Sequence, residues 1–161
     1  MNAIEMQKLA SSLNRPGQVI INEQFQIYST GRPATGIAAV NGTQAANIQI
    51  RADSDFVIEK TTFNADIAAA SQTESGRVLP NVAVLLVITS SGQQLMNVQV
   101  PLTGLFGSGE LPFIWPKPYI IPASSVLQIQ LSSFEAAVVP FITLNFIGRV
   151  LYWGIPQSQL K

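Results

Sequence analysis

From residue 18 onward the chain repeats one pattern, apolar residues alternating with polar ones in short runs broken by glycine, proline or asparagine. Each such run predicts a β-strand with one face turned inward. Val19, Ile21, Phe25 and Ile27 sit among polar residues and predict a long strand over 18–28. Shorter strands are predicted over 36–40 and 45–51, with Ile48 and Ile50 facing in. Asp53-Ser54-Asp55 predicts a turn into a strand over 56–63, and 64–77, small and polar, predicts a surface excursion. Residues 81–89, NVAVLLVIT, are almost wholly apolar, the pattern of a strand covered on both faces. Ser91-Gly92 predicts a hairpin turn, after which 94–100 returns with Met96, Val98 and Val100 on one face. Residues 101–109 read as a glycine-rich loop, 126–131 as a cleanly alternating strand, and Phe141–Trp153 as the last strand, with Ile142, Leu144 and Phe146 on its inner face. About eight or nine strands at these spacings predict an all-β fold, an antiparallel β-sandwich of jelly-roll type, with an immunoglobulin-like sandwich as the runner-up.

One segment breaks the alternation. Between Leu111 and Leu131 stand Pro112, Pro116, Pro118 and Pro122, interleaved with Phe113, Trp115 and Tyr119. Proline fixes φ, removes a backbone donor and pushes the preceding residue towards extended geometry, so 113–121 is predicted to be neither a helix nor a central strand. It reads as a stiff edge whose large apolar side chains must bury against this chain's own core or against a neighbour.

The N-terminus differs again. Met6, Leu9, Ala10 and Leu13 fall at i, i+3, i+4 and i+7, one face of a short amphipathic helix that Pro16-Gly17 interrupts. A helix of that length is marginal alone, so residues 1–17 are expected to form an arm or short helix preceding a single β-sandwich domain over 18–161. Met1–Leu13 includes Glu5 and Lys8 and no continuous apolar core, so no signal peptide is predicted. The longest apolar run is the seven residues Val82–Ile88, against about 20 for a membrane-spanning helix, so no membrane partner is expected.

Composition narrows the chemistry. Nine basic and nine acidic residues cancel, and the basic ones are scattered singly, so no nucleic-acid partner is expected. Charged residues make up 11% of the chain, against about 25% in a typical domain, and amides and hydroxyls take their places. A surface so weakly charged does little to keep copies apart, which points to an assembled protein. The chain has no cysteine and no histidine, hence no thiolate nucleophile and no imidazole base. Asp53, Asp55 and Glu59 form the one acidic cluster, yet turn formation accounts for the two aspartates and the glycine of a calcium loop is missing. No cofactor, no metal and no enzymatic activity are expected. The residues predicted to pack between subunits, or against a shell, are Phe113, Trp115 and Tyr119, with Met6, Leu9 and Leu13 from the arm. Phe113, Trp115 and Tyr119 also suit a sugar-stacking platform, which makes a glycan the alternative partner.

The segment FIWPKPYIIPASS, followed by VLQIQLSS and then FITLNFIGRVLYW, resembles small structural proteins of tailed-phage and prophage virions over Leu111–Trp153. In several of those a proline-hydrophobic turn ending in PA-[NS]-S precedes a strand, and a late GR element closes a β-sandwich. The resemblance implies a virion location and a decoration, cement or minor capsid role. It also implies a homo-oligomer, trimer or higher, in contact with a major capsid protein.

Overall fold

The computed structural model describes residues 15, 17–31, 37–38, 41–66, 79–136, 138–139 and 141–155. The predicted helical face of Met6, Leu9 and Leu13 lies outside them, as do 67–77 of the predicted excursion.

Among the described residues nine strands follow one another: β1 (Val19–Ser29), β2 (Thr43–Gln49), β3 (Ser54–Asp66), β4 (Val82–Ile88), β5 (Gln93–Gln94), β6 (Val100–Pro101), β7 (Phe113–Ile121), β8 (Val126–Ser133) and β9 (Phe141–Gly154). They form two antiparallel sheets, one ordered β1-β9-β3-β7 and the other β2-β8-β4-β5, with β6 also on β4. The ladders nest: β1 pairs β9, β2 pairs β8, β3 pairs β7, and β4 pairs β5 and β6. Two further ladders, β3 with β9 and β4 with β8, close each sheet. The fold is an antiparallel β-sandwich.

Alternation decides which side chains meet between the sheets, because successive residues of a strand point to opposite faces. On β9, Ile142, Leu144, Phe146 and Val150 are buried, and on β8 so are Leu127, Ile129 and Leu131. They join Ile48, Phe56, Ile58, Val84 and Leu86 in a continuous core fed by both sheets. Rings meet edge to face there, Tyr28 on Phe56 at 4.8 Å and Phe106 on Phe146 at 5.5 Å. β4 lies between β8 and β5/β6, and its inner residues Val82, Val84, Leu86 and Ile88 are each at most 2% exposed, but on its outer face Leu85 and Val87 are half-buried, so the apolar run is fully covered on one face and not on both.

Other expectations change as well. The strand predicted over 94–100 is interrupted: the ladder stops at Gln94 and resumes at Val100. Consecutive Leu95 and Met96 both pack against the core, which a period of two forbids, so the chain bends there. The glycine-rich loop is less open than its composition suggests, since a 3₁₀ turn at Leu102–Gly104 helps seat Leu102 and Phe106, each 1% exposed. β3 starts at Ser54 and runs to Asp66, so Asp55 belongs to a strand, as do residues 64–66 of the predicted excursion. Of the strand predicted over 36–40, the described part is Ile37 and Ala38, and Ile37 makes an isolated bridge with Val139.

Two local features shape the four-stranded sheet. The register slips between Ile58 and Lys60, bulging Glu59 out of the β3–β9 ladder. Gly148 faces that bulge, and a Cβ on it would stand 1.8 Å from the Val57 carbonyl oxygen, so glycine is what lets the strands approach. On the other side of β3, Lys60 pairs Ile114 and Ile58 pairs Tyr119, leaving Trp115–Pro118 outside the ladder. Pro116 and Pro118 have no N–H to give it.

Candidate assembly surface

Residues paired across a ladder project to the same face, so register alone places side chains in rows. Ile27 pairs Ile147, Ile147 pairs Lys60, and Lys60 pairs Ile114. Because Ile142, Leu144 and Phe146 point inward, Ile147 and its row point outward. Three isoleucines and one lysine thus run edge to edge across the outer face of the sheet. The next row is Phe25, Arg149, Val57 and Ile120. Phe25 is 69% exposed, Ile114 65% and Ile27 46%. Leu111, just before β7, is exposed as well. Scattered apolar side chains on a surface are ordinary; rows of them that cross a whole sheet make this the candidate interaction face.

The charges on this face are arranged in a group. Arg149 lies between Glu59, with Nη2 2.7 Å from Oε1, and Glu23, with Nη1 2.6 Å from Oε2. Partial burial opposes its charge, but the two carboxylates outweigh that and raise its pKa above the ordinary arginine value. The bulge at Glu59 aims that carboxylate at Arg149.

The aromatics of the proline segment lie differently. Phe113, Trp115 and Tyr119 are half-buried, and Trp115 and Tyr119 pack against this chain's own core. Phe113 meets Trp115 edge to face at 6.5 Å, and Trp115 meets Tyr119 at 6.2 Å. The Trp115 indole N–H donates to Thr61 Oγ1 at 3.2 Å, and the Thr61 hydroxyl donates to the Leu105 carbonyl. Burial pushes the Tyr119 phenol above its ordinary pKa. The structure therefore brings these three together along the inner side of an edge strand, and Ile114 is what that strand turns outward.

The three acids singled out in the sequence separate. Asp53 pairs with exposed Arg51 at 2.8 Å and Glu59 with Arg149. Asp55 is nearly inaccessible, its side chain 1% exposed, and accepts hydrogen bonds from the Arg15 guanidinium at 3.1 Å on both oxygens. It accepts two more, from the Trp153 indole and the Ala123 amide, each at 2.6 Å. This carboxylate ties the chain before β1 to β3, to the turn before β8 and to the end of β9, a junction that Ser-Asp-Phe in the sequence does not announce. The outward isoleucine row was equally hidden, because single alternating apolar residues show a strand but not which rows they join.

The five-stranded sheet carries no such apolar rows. Its outer face bears a half-open cleft of about 280 Å³ lined by Thr43, Gln44, Ala45, Gln99, Gln130, Leu131 and Ser132. Gln99 donates to Ser132 Oγ at 2.9 Å, and Gln130 to Gln128 at 3.0 Å. No charged side chain enters this lining. Comparison of the chain with protein-family models, with curated proteins and with solved structures finds no match.

Proposed function

We propose that the chain is a non-enzymatic structural protein of a virion, decorating or cementing a capsid as a homo-oligomer, trimer or higher, in contact with a major capsid protein. The observation that carries the proposal is the apolar row Ile27, Ile147 and Ile114 crossing an exposed sheet face whose ionised groups include both signs, Glu23 and Glu59 beside Arg149 and Lys60. Such a face is compatible with a second copy of itself, and the chain's zero net charge leaves nothing to repel it. The nested ladders support the same proposal. With β5 and β6 taken as one interrupted strand, each strand pairs with its counterpart from the other end of the chain, which is the order of a jelly roll. Jelly rolls build capsid and lectin domains, and since a fold alone assigns no function, the exposed face carries the weight.

Co-sedimentation of the purified protein with capsids tests it. Binding is expected, with an interface of about 1,000 Å² or more, and an Ile27→Asp/Ile114→Asp double variant should lose it while staying folded. A folded protein that leaves capsids untouched contradicts the proposal.

The uncharged cleft favours a second reading, a carbohydrate-binding β-sandwich for host-surface recognition. Carboxamides and hydroxyls offer donors and acceptors without charge, which suits the hydroxyls of a neutral sugar. On a glycan array this reading predicts specific signals abolished by Gln130→Ala. Signals abolished by Trp115→Ala alone would move the site to the aromatic strip.

A further inference from the structure

Exposed sheet edges invite pairing, and the edges of this sandwich are guarded unequally. β7 is interrupted by Pro116 and Pro118, with Lys117 between them, and four of its residues stand outside its own ladder. β5 and β6 are two residues each. β2 is longer, but none of its large apolar side chains is exposed. β1 has none of these defences. It is 11 residues long, contains no proline, and pairs among the described residues with β9 alone. It also exposes Ile21, Phe25 and Ile27. Its one ionised side chain, Glu23, is already neutralised by Arg149.

We propose that β1 is the site of self-pairing: β1 strands of two copies lie antiparallel about a two-fold axis at Phe25, joining two four-stranded sheets into one of eight. The pairing rests on the assembly proposed above and specifies one of its contacts. Antiparallel partners share a face, so only registers that set odd-numbered residues against odd ones keep each copy's outer face continuous with the other's. The regular part of the strand begins after a bulge between Ile20 and Asn22. Centring its pairing on Phe25 sets that most exposed ring of β1 against its own copy. Gln24 then faces Gln26, a carboxamide pair formed twice, and Ile27 lies opposite Glu23, which Arg149 holds. A register centred on Gln26 would instead set Gln24 against Tyr28, which is engaged with Phe56. The row of Phe25, Arg149, Val57 and Ile120 then continues from one copy into the next, and two isologous patches close without leaving a free β1 edge.

The chain has no cysteine, so a single introduced thiol reports on the register. Across an antiparallel ladder, directly opposed Cα atoms are about 4.5–5.5 Å apart, within disulfide reach, whereas diagonal ones at about 7–8 Å are not. Under mild oxidation Phe25→Cys is expected to form a covalent dimer and Gln26→Cys to stay unlinked. Hydrogen exchange of the unmodified protein gives a second readout, with β1 amides expected to slow as concentration rises. Cross-linking at Gln26→Cys instead would overturn the register. An oligomer in which Phe25→Cys stays unlinked and β1 exchange ignores concentration would overturn β1 pairing while leaving assembly through other surfaces standing. A monomer at every concentration would overturn both.

Discussion

Asp55 shows what one buried charge does in this sandwich. A carboxylate out of water is tolerable only when its lone pairs are occupied, and here the Arg15 fork, an indole N–H and a backbone amide occupy them. Removing it leaves the guanidinium and both donors without their acceptor. Asp55→Ala is expected to destabilise the fold by about 3–5 kcal/mol, read from the urea midpoint with unchanged slope. Asp53, two residues earlier and fully exposed, behaves differently. The hydrogen bond from Arg51 pulls its pKa down from the ordinary 3.8 to about 2. A depressed carboxylate stabilises the folded state above its unfolded pKa, and that contribution is lost as pH falls from about 4 towards 2. Solvent screening keeps it small, so the direct check is an NMR titration of the Asp53 carboxyl. A midpoint near 2 is expected, rising towards the ordinary 3.8 in Arg51→Ala.

At the scale of the element, β7 shows how sequence punctuation becomes geometry. The prolines forbid a central strand, and β7 is an edge strand whose proline-bearing stretch leaves the ladder. What the prolines do not reveal is the side on which the aromatics lie. Trp115 covers this chain's own core and hydrogen-bonds Thr61, so Trp115→Ala should cost stability even in isolated subunits. About 2 kcal/mol is expected, below the about 3–5 kcal/mol of a fully buried tryptophan, by thermal or urea unfolding at low protein concentration. An unchanged midpoint would mean that the ring serves a partner instead. The β1, β4, β8 and β9 runs were legible because period-two alternation, or an unbroken apolar run, survives in them. The returning strand at 94–100 was not, because Leu95 and Met96 together turn inward and no local rule marks where a ladder lets go. Asp55 was misjudged as a turn residue for a related reason. Aspartate between serine and phenylalanine favours a turn locally, and a long-range arginine and tryptophan override that preference.

The whole molecule combines a well-filled core with a surface that does little to stay alone. Class and sheet architecture were readable from strand count, spacing and the position of the prolines. The proposed assembly face was not, since Ile27, Ile114 and Ile147 lie 33 to 120 residues apart and meet only through three ladders. Composition nevertheless pointed in its direction: zero net charge and 11% charged residues leave apolar contact between copies without an electrostatic opponent. The proposed function requires this sandwich to associate with copies of itself. Sedimentation velocity at micromolar concentration tests it most directly, since the single chain has a mass of 17.3 kDa. A species at three or more times that mass is expected, reduced by Phe25→Asp or Ile114→Asp without loss of fold. A single 17.3 kDa species at all concentrations would contradict it.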